Sequence, residues 1–363
     1  MFHVTEEHEM LREAAAAFAA EKAPVSALRA LRDAGGRYDA ELWAEMAAMG
    51  WAGVLIPEEH GGAGFGFRGA GIVLEELGRT LAATPFLSTA VIGGSALLLG
   101  GSAAQKAAIL PRIADGSLLV ALCVDEGAHH APGAIAARVL DGALTGRKAY
   151  VPDGDIAELL IVAARDAAGD PGLYLVPADA PGVSVRALIT VDGRSAADIS
   201  FDAAPLGPDA RLGGADLLDD VLDRARIALA AEMLGTAQAA HDMTLDYLKT
   251  RTQFGQLIGT FQALQHRAAS LFADLEFTRS CVIAAQSAVD ARANDLKALA
   301  SLAKARVGET LHKASNECVQ MHGGIGMTDA ADPGLYLKRA RVAEHLFGSA
   351  AFHRDRFASL QGF

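Results

Sequence analysis

The spacing of apolar residues changes twice along the chain, and this constrains the fold more than any other feature. From about residue 5 to 115 the apolar side chains recur at helical spacing, as in the stripe from Met10 to Phe18. Between about 117 and 212 they form short runs separated by Gly, Pro and Asp, which is typical of strands. Helical spacing returns after Gly213-Gly214. The pattern therefore predicts a β segment between two helical segments.

These changes predict three domains in a mainly α, α+β chain of 363 residues. We expect an N-terminal helical domain at 1–115, a middle β domain at 116–212 and a C-terminal helical bundle at 213–363. Five or six short strands predict a small β-barrel or a sandwich in the middle. The last segment predicts a four-helix bundle. Its helices should begin near Leu217 and then span about 261–290, 294–321 and 332–345, with Asn294 as an N-cap.

Composition excludes several classes of function. A net charge of −12 argues against nucleic-acid binding, because a phosphate backbone requires a concentrated basic surface. The three cysteines form no CxxC pair, so we expect free thiols in a reducing compartment, and no metal site at His129-His130. No run reaches the roughly 18 apolar residues of a membrane span, and no signal segment is evident, so the sequence predicts a cytoplasmic protein.

The polar run from Arg251 to His266 carries the strongest functional pattern and reads RTQFGQLIGTFQALQH. The Arg251 guanidinium offers paired donors to a phosphate, amides can bind an adenine or a ribose, and Phe254 offers a flat apolar face. This combination suits a dinucleotide. An alternative is a simple turn between helices, with Gly255 providing the bend and Arg251 as a solvated cation at a helix end.

A second cluster, Gln320-Met321-His322-Gly323-Gly324-Ile325-Gly326, ends a predicted helix. Glycines at a helix end permit close backbone approach, and exposed amides there can bind an anion. The same glycines are also common in ordinary helix C-caps. The cluster alone therefore leaves both interpretations open.

Both clusters, in this order, resemble the acyl-CoA dehydrogenase family. That family carries an Arg-x-x-Phe-Gly and Phe-Gln-x-x-Gln-His run followed by Gln-x-x-Gly-Gly-x-Gly, as this chain does. The segments from Met49 to Gly64 and from Leu74 to Gly78 also look like the family pattern. The resemblance therefore covers nearly the whole chain.

The resemblance implies an FAD enzyme that desaturates an acyl-CoA thioester between its α and β carbons. A glutamate of the family removes the α-proton, and the β-hydride passes to the flavin. The FAD lies across a subunit interface, where one chain holds the flavin ring and its neighbour holds the ADP half. The ADP-binding positions implied for this chain are Arg251, Gln253, Phe254, Gln320, Gly323 and Gly324.

The resemblance also implies positions for the catalytic base, and these are occupied by residues that accept no proton. The usual Tyr-Glu-Gly-Thr setting reads Leu346-Phe347-Gly348-Ser349 here, with Phe347 at the position of the carboxylate. The second family position, before Arg226, is Ala225. Glu344 is a weak candidate for a relocated base, although it and Asp223 are alternatively solvated helix charges.

The flavin-ring segment departs from the family pattern as well. The family's Thr-Glu-Pro-Gly-Ala-Gly-Ser type of loop reads from Cys123 to His130 as CVDEGAHH. Its Trp-Ile-Thr reads Tyr150-Val151-Pro152, so a hydroxyl residue is replaced by a proline that has no amide hydrogen. Asp125 would bring negative charge toward a reduced flavin.

The losses concern the chain's own flavin ring and base, whereas the positions for a neighbour's ADP are intact. We therefore predict a subunit of a heteromeric α2β2 acyl-CoA dehydrogenase, paired with a homologous chain that keeps the glutamate. By analogy, its substrate would be a bulky or sterol-derived acyl-CoA, and its acceptor an electron-transfer flavoprotein or similar protein. The alternatives are a self-sufficient homotetramer with a relocated base, a flavin monooxygenase or oxidase, and a flavin-free acyl-CoA-binding or scaffolding protein.

Overall fold

A computed structural model describes residues 5–363 of the chain. Its helices are α1 (Glu6–Lys22), α2 (Val25–Asp33), α3 (Ala40–Ala48), α4 (Gly66–Arg79), α5 (Gly94–Gly100), α6 (Ala103–Ala114), α7 (Ala215–Thr250), α8 (Gln262–Asp290), α9 (Leu296–His322), α10 (Pro333–His345) and α11 (Ala350–Leu360), with a π-helix at Phe86–Gly93. Its strands are β1 (Val120–Cys123), β2 (Arg138–Leu140), β3 (Ala143–Pro152), β4 (Leu159–Arg165), β5 (Pro171–Pro177), β6 (Val183–Ala187), β7 (Ala196–Pro205), β8 (Arg211–Gly214), β9 (Thr252–Gln253) and β10 (Gln256–Leu257).

One compact unit combines the described part of Met1–Ala30 with Gly71–Ala82 and Arg226–Phe363. Within it, α9 packs against α8, α10 and α11. The buried face of α9 is built mainly from small and apolar side chains, including fully buried Ala303 and Leu311. Small residues let neighbouring helices approach closely, so α9 is the central helix of this unit.

Within this unit, α4 and α7 touch through two glycines. A Cβ added to Gly235 would lie 1.8 Å from the carbonyl oxygen of Glu75, and one added to Gly78 would lie 2.2 Å from that of Glu232. The Thr236 hydroxyl donates to the Gly78 carbonyl oxygen at 3.0 Å. No side chain larger than hydrogen fits at either glycine, so the two backbones themselves form the contact.

A partly buried ion cluster joins α1, α4 and α8 in the same unit. Arg12 pairs with Glu75 at 3.0 Å and with Glu76 at 2.6 Å, and Arg279 reaches Glu75 at 2.5 Å. Burial raises the pKa of the Glu75 carboxyl, but the two guanidinium groups outweigh burial and hold this pKa below its ordinary value. Glu75 is therefore a structural counter-ion to the two arginines.

The other compact unit combines Leu31–Ala70 with Ala83–Ala225 and contains a mixed sheet of eight strands. The strands follow the order β6-β7-β3-β2-β4-β5-β8, and β1 pairs in parallel with β4. Among the described residues the edge strands β6 and β8 do not pair with each other, so the sheet does not close into the predicted barrel. The pairing between β2 and β4 is limited to Arg138 and Arg165, which leaves the middle of the sheet weakly connected.

The predicted helices agree with α8, α9 and α10 to within a few residues, with one correction at the start of α9. The residue before this helix is Asp295, and no side chain caps the helix there, so Asn294 is not its N-cap. Two strands, β3 and β8, and the last helix, α11, were not predicted. No helix within residues 5–363 is long and apolar enough to cross a bilayer.

The boundaries of the three predicted domains stay a prediction. The contact pattern groups parts of the N-terminal segment with each of the two units, which the apolar periodicity did not indicate.

Candidate functional site

A short hairpin follows α7 and carries half of the predicted ADP-binding residues. Gln253 of β9 pairs with Gln256 of β10, so Phe254 and Gly255 alone form the turn. Both turn residues have positive φ, 54° for Phe254 and 82° for Gly255, which is the requirement of a type I′ turn. Glycine meets this requirement without strain, but a phenylalanine does not.

The hairpin presents its side chains to solvent. Phe254 is 89% exposed, and Arg251 and Gln253 are exposed beside it. The only aromatic contact of Phe254 in the described chain is an edge-on approach to Phe261, with ring centroids 6.2 Å apart. A strained backbone with a phenyl ring in water lowers stability in the isolated chain, which is typical of a functional segment.

The second group of predicted residues lies at the C-terminal end of α9. Gln320, Gly323 and Gly324 are exposed, and Gly323 has a φ of 65° with its amide donating to the carbonyl of Gln320. A Cβ at Gly323 or Gly324 would meet no atom within 4 Å, so packing inside the chain does not require glycine there. Gly323 is a helix cap, as one interpretation held, but Gly324 leaves an open backbone surface.

The structure brings the two groups together. Leu248 and Ile258, on either side of the hairpin, share a buried cluster with Met321 of α9. The rings of Tyr247 and His322 stack with centroids 4.4 Å apart and an angle of 25°. A guanidinium, a side-chain amide and an open glycine backbone therefore share one exposed end of the bundle. These groups suit the phosphates and the nucleoside of an ADP moiety.

The loop between β1 and β2, at the predicted flavin-ring position, binds its own acidic side chains. The Asp125 carboxylate lies 2.9 Å from Nδ1 of His130 and accepts from the amide of Ala131 at 3.1 Å. The carboxylate of Glu126 accepts from the amides of Ala136 and Ala137 at 2.8 and 3.0 Å. Three backbone amides of this loop are therefore engaged by the loop's own carboxylates.

A buried lysine completes this arrangement. Lys148 of β3 is fully buried and donates to Glu126 at 2.7 Å and to the carbonyl of Val124 at 2.9 Å. Burial lowers the pKa of Lys148, and the pairing with Glu126 opposes that shift. The ion pair fixes the loop to the sheet.

The end of β3 also provides few donors. Tyr150 has a positive φ of 48°, and its amide donates to the Asp198 carboxylate at 3.0 Å. Pro152 pairs with Ala196 of β7 and has no amide hydrogen.

The two usual base positions are buried and apolar. Phe347 has a φ of 56°, and its carbonyl accepts from Nε of Arg226 at 3.3 Å and from Nε2 of His353 at 3.0 Å. Nζ of Lys304 donates to the next carbonyl, that of Gly348, at 3.0 Å. Ala225 is fully buried on α7. The segment that holds the family's base is therefore firmly held here but has no carboxylate.

The groups that hold this segment are buried, and burial changes their titration. Burial lowers the pKa of Lys304 to about 7, although its ammonium donates to three carbonyl oxygens. Burial and the charges of Arg226 and Lys304 lower the pKa of His353 to about 2. His353 is therefore neutral at pH 7, and it donates its Nε2 hydrogen to Phe347.

Glu344, the candidate for a relocated base, is occupied by other partners. Its carboxylate accepts from Nη1 of Arg341 at 2.8 Å and lies 3.1 Å from Nδ1 of His312. A relocated base at this position would first have to leave both partners. Its role stays a prediction that the contacts do not favour.

No group of three or more His, Cys, Asp or Glu within residues 5–363 could hold a metal ion. Of the adjacent histidines at 129 and 130, His130 pairs with the Asp125 carboxylate.

Sequence reasoning missed the residues that support these sites. Arg226, Lys304 and His353 are far apart in sequence and look like ordinary helix charges, so only the packing of α7, α9 and α11 brings them to one loop. The stack of Tyr247 on His322 was missed for the same reason, although His322 lies within one recognised motif and Tyr247 lies four residues before the other.

Comparison with known proteins shows which family models match the chain. The family model for the N-terminal domain of acyl-CoA dehydrogenase matches residues 5–117, and that for the C-terminal domain matches residues 213–360. The acyl-CoA dehydrogenase IpdE2 of Mycobacterium tuberculosis is 33% identical over 347 residues, which are 95% of this chain and 94% of that protein.

Two solved structures extend the similarity to the whole fold. A variant of the Tcur3481-Tcur3483 steroid ACAD has a TM-score of 0.91 at 35% identity and covers 98% of both chains. A chain of the ChsE4-ChsE5 complex from Mycobacterium tuberculosis has a TM-score of 0.93 at 27% identity. The match covers 100% of this chain and 99% of that chain. The chain therefore belongs to the acyl-CoA dehydrogenase family, whose members are FAD-dependent oxidoreductases acting on CH-CH groups.

Proposed function

We propose that this chain is a subunit of a heteromeric acyl-CoA dehydrogenase and supplies the ADP-binding half of the FAD site to a homologous partner chain. In the assembly, FAD accepts the β-hydride of the acyl-CoA thioester, and the partner supplies the glutamate that takes the α-proton. The flavin that this chain helps to bind is therefore held, at its ring end, by the partner.

The proposal rests mainly on the loop between β1 and β2, whose own carboxylates bind three of its backbone amides. A flavin ring needs donors at its edge, and the amides of Ala131, Ala136 and Ala137 are already engaged by Asp125 and Glu126. Opening the loop would leave Lys148 buried beside a carboxylate that had lost its partners, which is costly. Two acidic side chains in the loop also oppose the negative charge that a reduced flavin carries.

The base positions support the same conclusion. Neither Phe347 nor Ala225 can accept a proton, and Glu344 is engaged by Arg341 and His312. A self-sufficient homotetramer would need Glu344 to leave these partners. A flavin oxidase or monooxygenase would not need the base, but it would still need the ring site.

The exposed end of the bundle supports the other half of the proposal. Arg251, Gln253 and Phe254 extend from the hairpin, and Gln320, Gly323 and Gly324 lie beside them. Phe254 has a strained backbone and an exposed ring. A second chain and its nucleotide, by covering this ring, would explain why the strain is tolerated.

The substrate class is proposed from the relatives. One of the similar structures is named as a steroid ACAD, and another as a complex of ChsE4 with ChsE5. We propose a bulky, sterol-derived acyl-CoA, because a second site without a flavin leaves room for a large ring system. An electron-transfer flavoprotein is the proposed acceptor, and a chain of similar fold is described under that name in Acidaminococcus fermentans.

The test is a flavin-per-chain measurement on the chain alone and on the chain co-produced with a homologous chain that keeps the glutamate. We expect a colourless protein alone and bound FAD in the assembly. One tightly bound flavin per chain in the protein alone, with turnover of an acyl-CoA, would refute the proposal. A colourless preparation in both cases would favour the flavin-free binding protein.

Arg251→Met provides a sharper version of this test. Charge-assisted hydrogen bonds contribute about 1.5–3 kcal/mol, so the assembly should lose FAD affinity by about tenfold or more. Arg138→Met removes another exposed arginine, on β2, and is the matched control that should leave affinity unchanged. Equal effects of the two substitutions would show that Arg251 is not a ligand.

A further inference from the structure

Two aromatic rings connect the segments that carry the proposed ADP-binding residues. Tyr247 lies on the last turn of α7, and its carbonyl accepts from the amide of Arg251 at 2.9 Å. His322 is the last residue of α9 and directly precedes Gly323. The stack of these rings, with centroids 4.4 Å apart, therefore joins the base of the hairpin to the open glycines.

The hydrogen bonds of His322 fix the orientation of its ring. Nδ1 lies 2.7 Å from the carbonyl oxygen of Cys318, and a carbonyl can only accept, so Nδ1 carries the hydrogen. Burial lowers the pKa of His322, which keeps the ring neutral at pH 7. A neutral ring held at Nδ1 can rotate little, so its flat face stays turned to Tyr247.

The apolar cluster beneath the rings does not by itself fix the two segments. Leu248, Ile258 and Met321 share that cluster, but all three are flexible aliphatic contacts without direction. The stack and the bond to Cys318 add a defined distance and angle. They lie one turn from Arg251 on one side and one residue from Gly323 on the other.

We infer that Tyr247 and His322 form a positioning pair that holds the hairpin and the Gly323-Gly324 segment at the spacing required by the ADP moiety of FAD. This inference rests on the proposed function, because the ADP belongs to the cofactor shared with the partner. Neither ring is assigned a contact with the cofactor. Their effect is to order the binding groups before the nucleotide arrives.

The first test needs only this chain. Hydrogen exchange of the amides at 251–257 and 320–326 should become faster in Tyr247→Leu and His322→Leu, and should stay near the wild-type rate in Tyr247→Phe, which keeps the stack. Val282→Ala, a truncation at a buried position of α8, is the control for general loss of stability. Unchanged protection in both leucine variants would overturn the inference.

The second test uses the assembly with the flavin-bearing chain and follows the release of FAD by its fluorescence. Preorganisation of this kind should change the dissociation rate by about tenfold in the leucine variants. Tyr247→Phe and Val282→Ala should release FAD at the wild-type rate. Wild-type release by the leucine variants, despite faster exchange, would show a purely structural stack and overturn the inference alone. A wild-type assembly without flavin would overturn the proposed function as well.

Discussion

At the scale of single residues, the most informative feature is the position predicted for the family's base, which carries no carboxylate but is held by buried donors. The carbonyl of Phe347 receives two buried donors, and that of Gly348 receives Lys304. These supports hold Phe347 at a φ of 56°, a conformation that a phenylalanine rarely adopts. The supports therefore serve the fold of the loop whether or not a carboxylate is present.

His353 should make the protein sensitive to acid. The folded state keeps this ring neutral down to a pKa of about 2, whereas the unfolded chain binds a proton below about pH 6.5. The unfolded state then binds more protons, so stability is complete above pH 6.5 and is lost as the pH falls toward 2. The loss should approach about 1.4 kcal/mol per pH unit within this window.

Urea unfolding from pH 7 to pH 4 checks this prediction, with His353→Gln as the comparison. Nδ1 of His353 lies 3.4 Å from the Ser301 hydroxyl. Glutamine can donate to Phe347 and accept from Ser301, but it does not titrate. The difference in unfolding free energy between the two proteins should shrink or reverse toward acid. A difference that stays constant with pH would mean that His353 binds its proton as readily in the folded state as in the unfolded chain.

How far the sequence predicts the site depends on the residue type. Arg251, Gln253 and Phe254 could be recognised because a cation, an amide and an aromatic beside glycines are unusual in a turn. Lys304 could not be recognised, because a lysine at helical spacing normally lies on the solvated face. Its burial follows from the packing of α9 against α10 and α11, which no local pattern encodes.

At the scale of elements, the contact of α4 with α7 depends on the absence of side chains. Gly235→Ala would place a methyl group 1.8 Å from the carbonyl oxygen of Glu75, so the helices must separate. Overpacking of this kind costs typically about 1–3 kcal/mol. Gly308→Ala in α9 is the matched control, since its nearest neighbour, Cβ of Ala350, would lie at 3.9 Å.

The two glycine variants should shift stability in opposite directions. An alanine in a helix is favoured over glycine by roughly 0.5–1 kcal/mol, so Gly308→Ala should raise the midpoint of thermal unfolding while Gly235→Ala lowers it. Differential scanning calorimetry measures both. A Gly235→Ala protein as stable as the wild type would show that the helices adapt without cost.

The elements differ in how well their sequences encode them. The long helices α8 and α9 follow clear periodicity, whereas β3 reads ALTGRKAYVP and contains a glycine, two basic residues and a proline. Its pairing with β7 across a shifted register supplies the stability that its own propensity lacks. α11 has a mixed polar sequence and one fully buried side chain, His353, so its place depends on tertiary contacts.

At the scale of the whole molecule, the family models match residues 5–117 and 213–360. The predicted flavin-ring segment lies between these two matches, whereas the predicted base positions, Ala225 and Phe347, lie inside the second. The chain as a whole carries a net charge of −12. The proposed nucleotide contact differs from this acidic surface, because it has an exposed arginine and open glycines. The acidic surface as a whole gives no general affinity for phosphate.

The assembly should behave as a dehydrogenase. Without oxygen, a sterol-derived acyl-CoA should bleach the bound flavin and yield the enoyl-CoA, and a dye or an electron-transfer flavoprotein should restore turnover. Absorbance of the flavin and mass analysis of the thioester measure the two halves of the reaction. Oxygen consumption without an enoyl product would instead indicate an oxidase or a monooxygenase.

The exposed turn at Phe254 has a consequence for how a cell makes this protein. In the chain alone, the phenyl ring of Phe254 stays in water on a strained backbone. Chaperones and proteases bind exposed apolar side chains of this kind, as they do in unfolded segments. Synthesis in step with the companion polypeptide would cover the ring before it is recognised. If the proposed assembly exists, we expect the chain to be short-lived when made alone and to accumulate when the proposed partner is present.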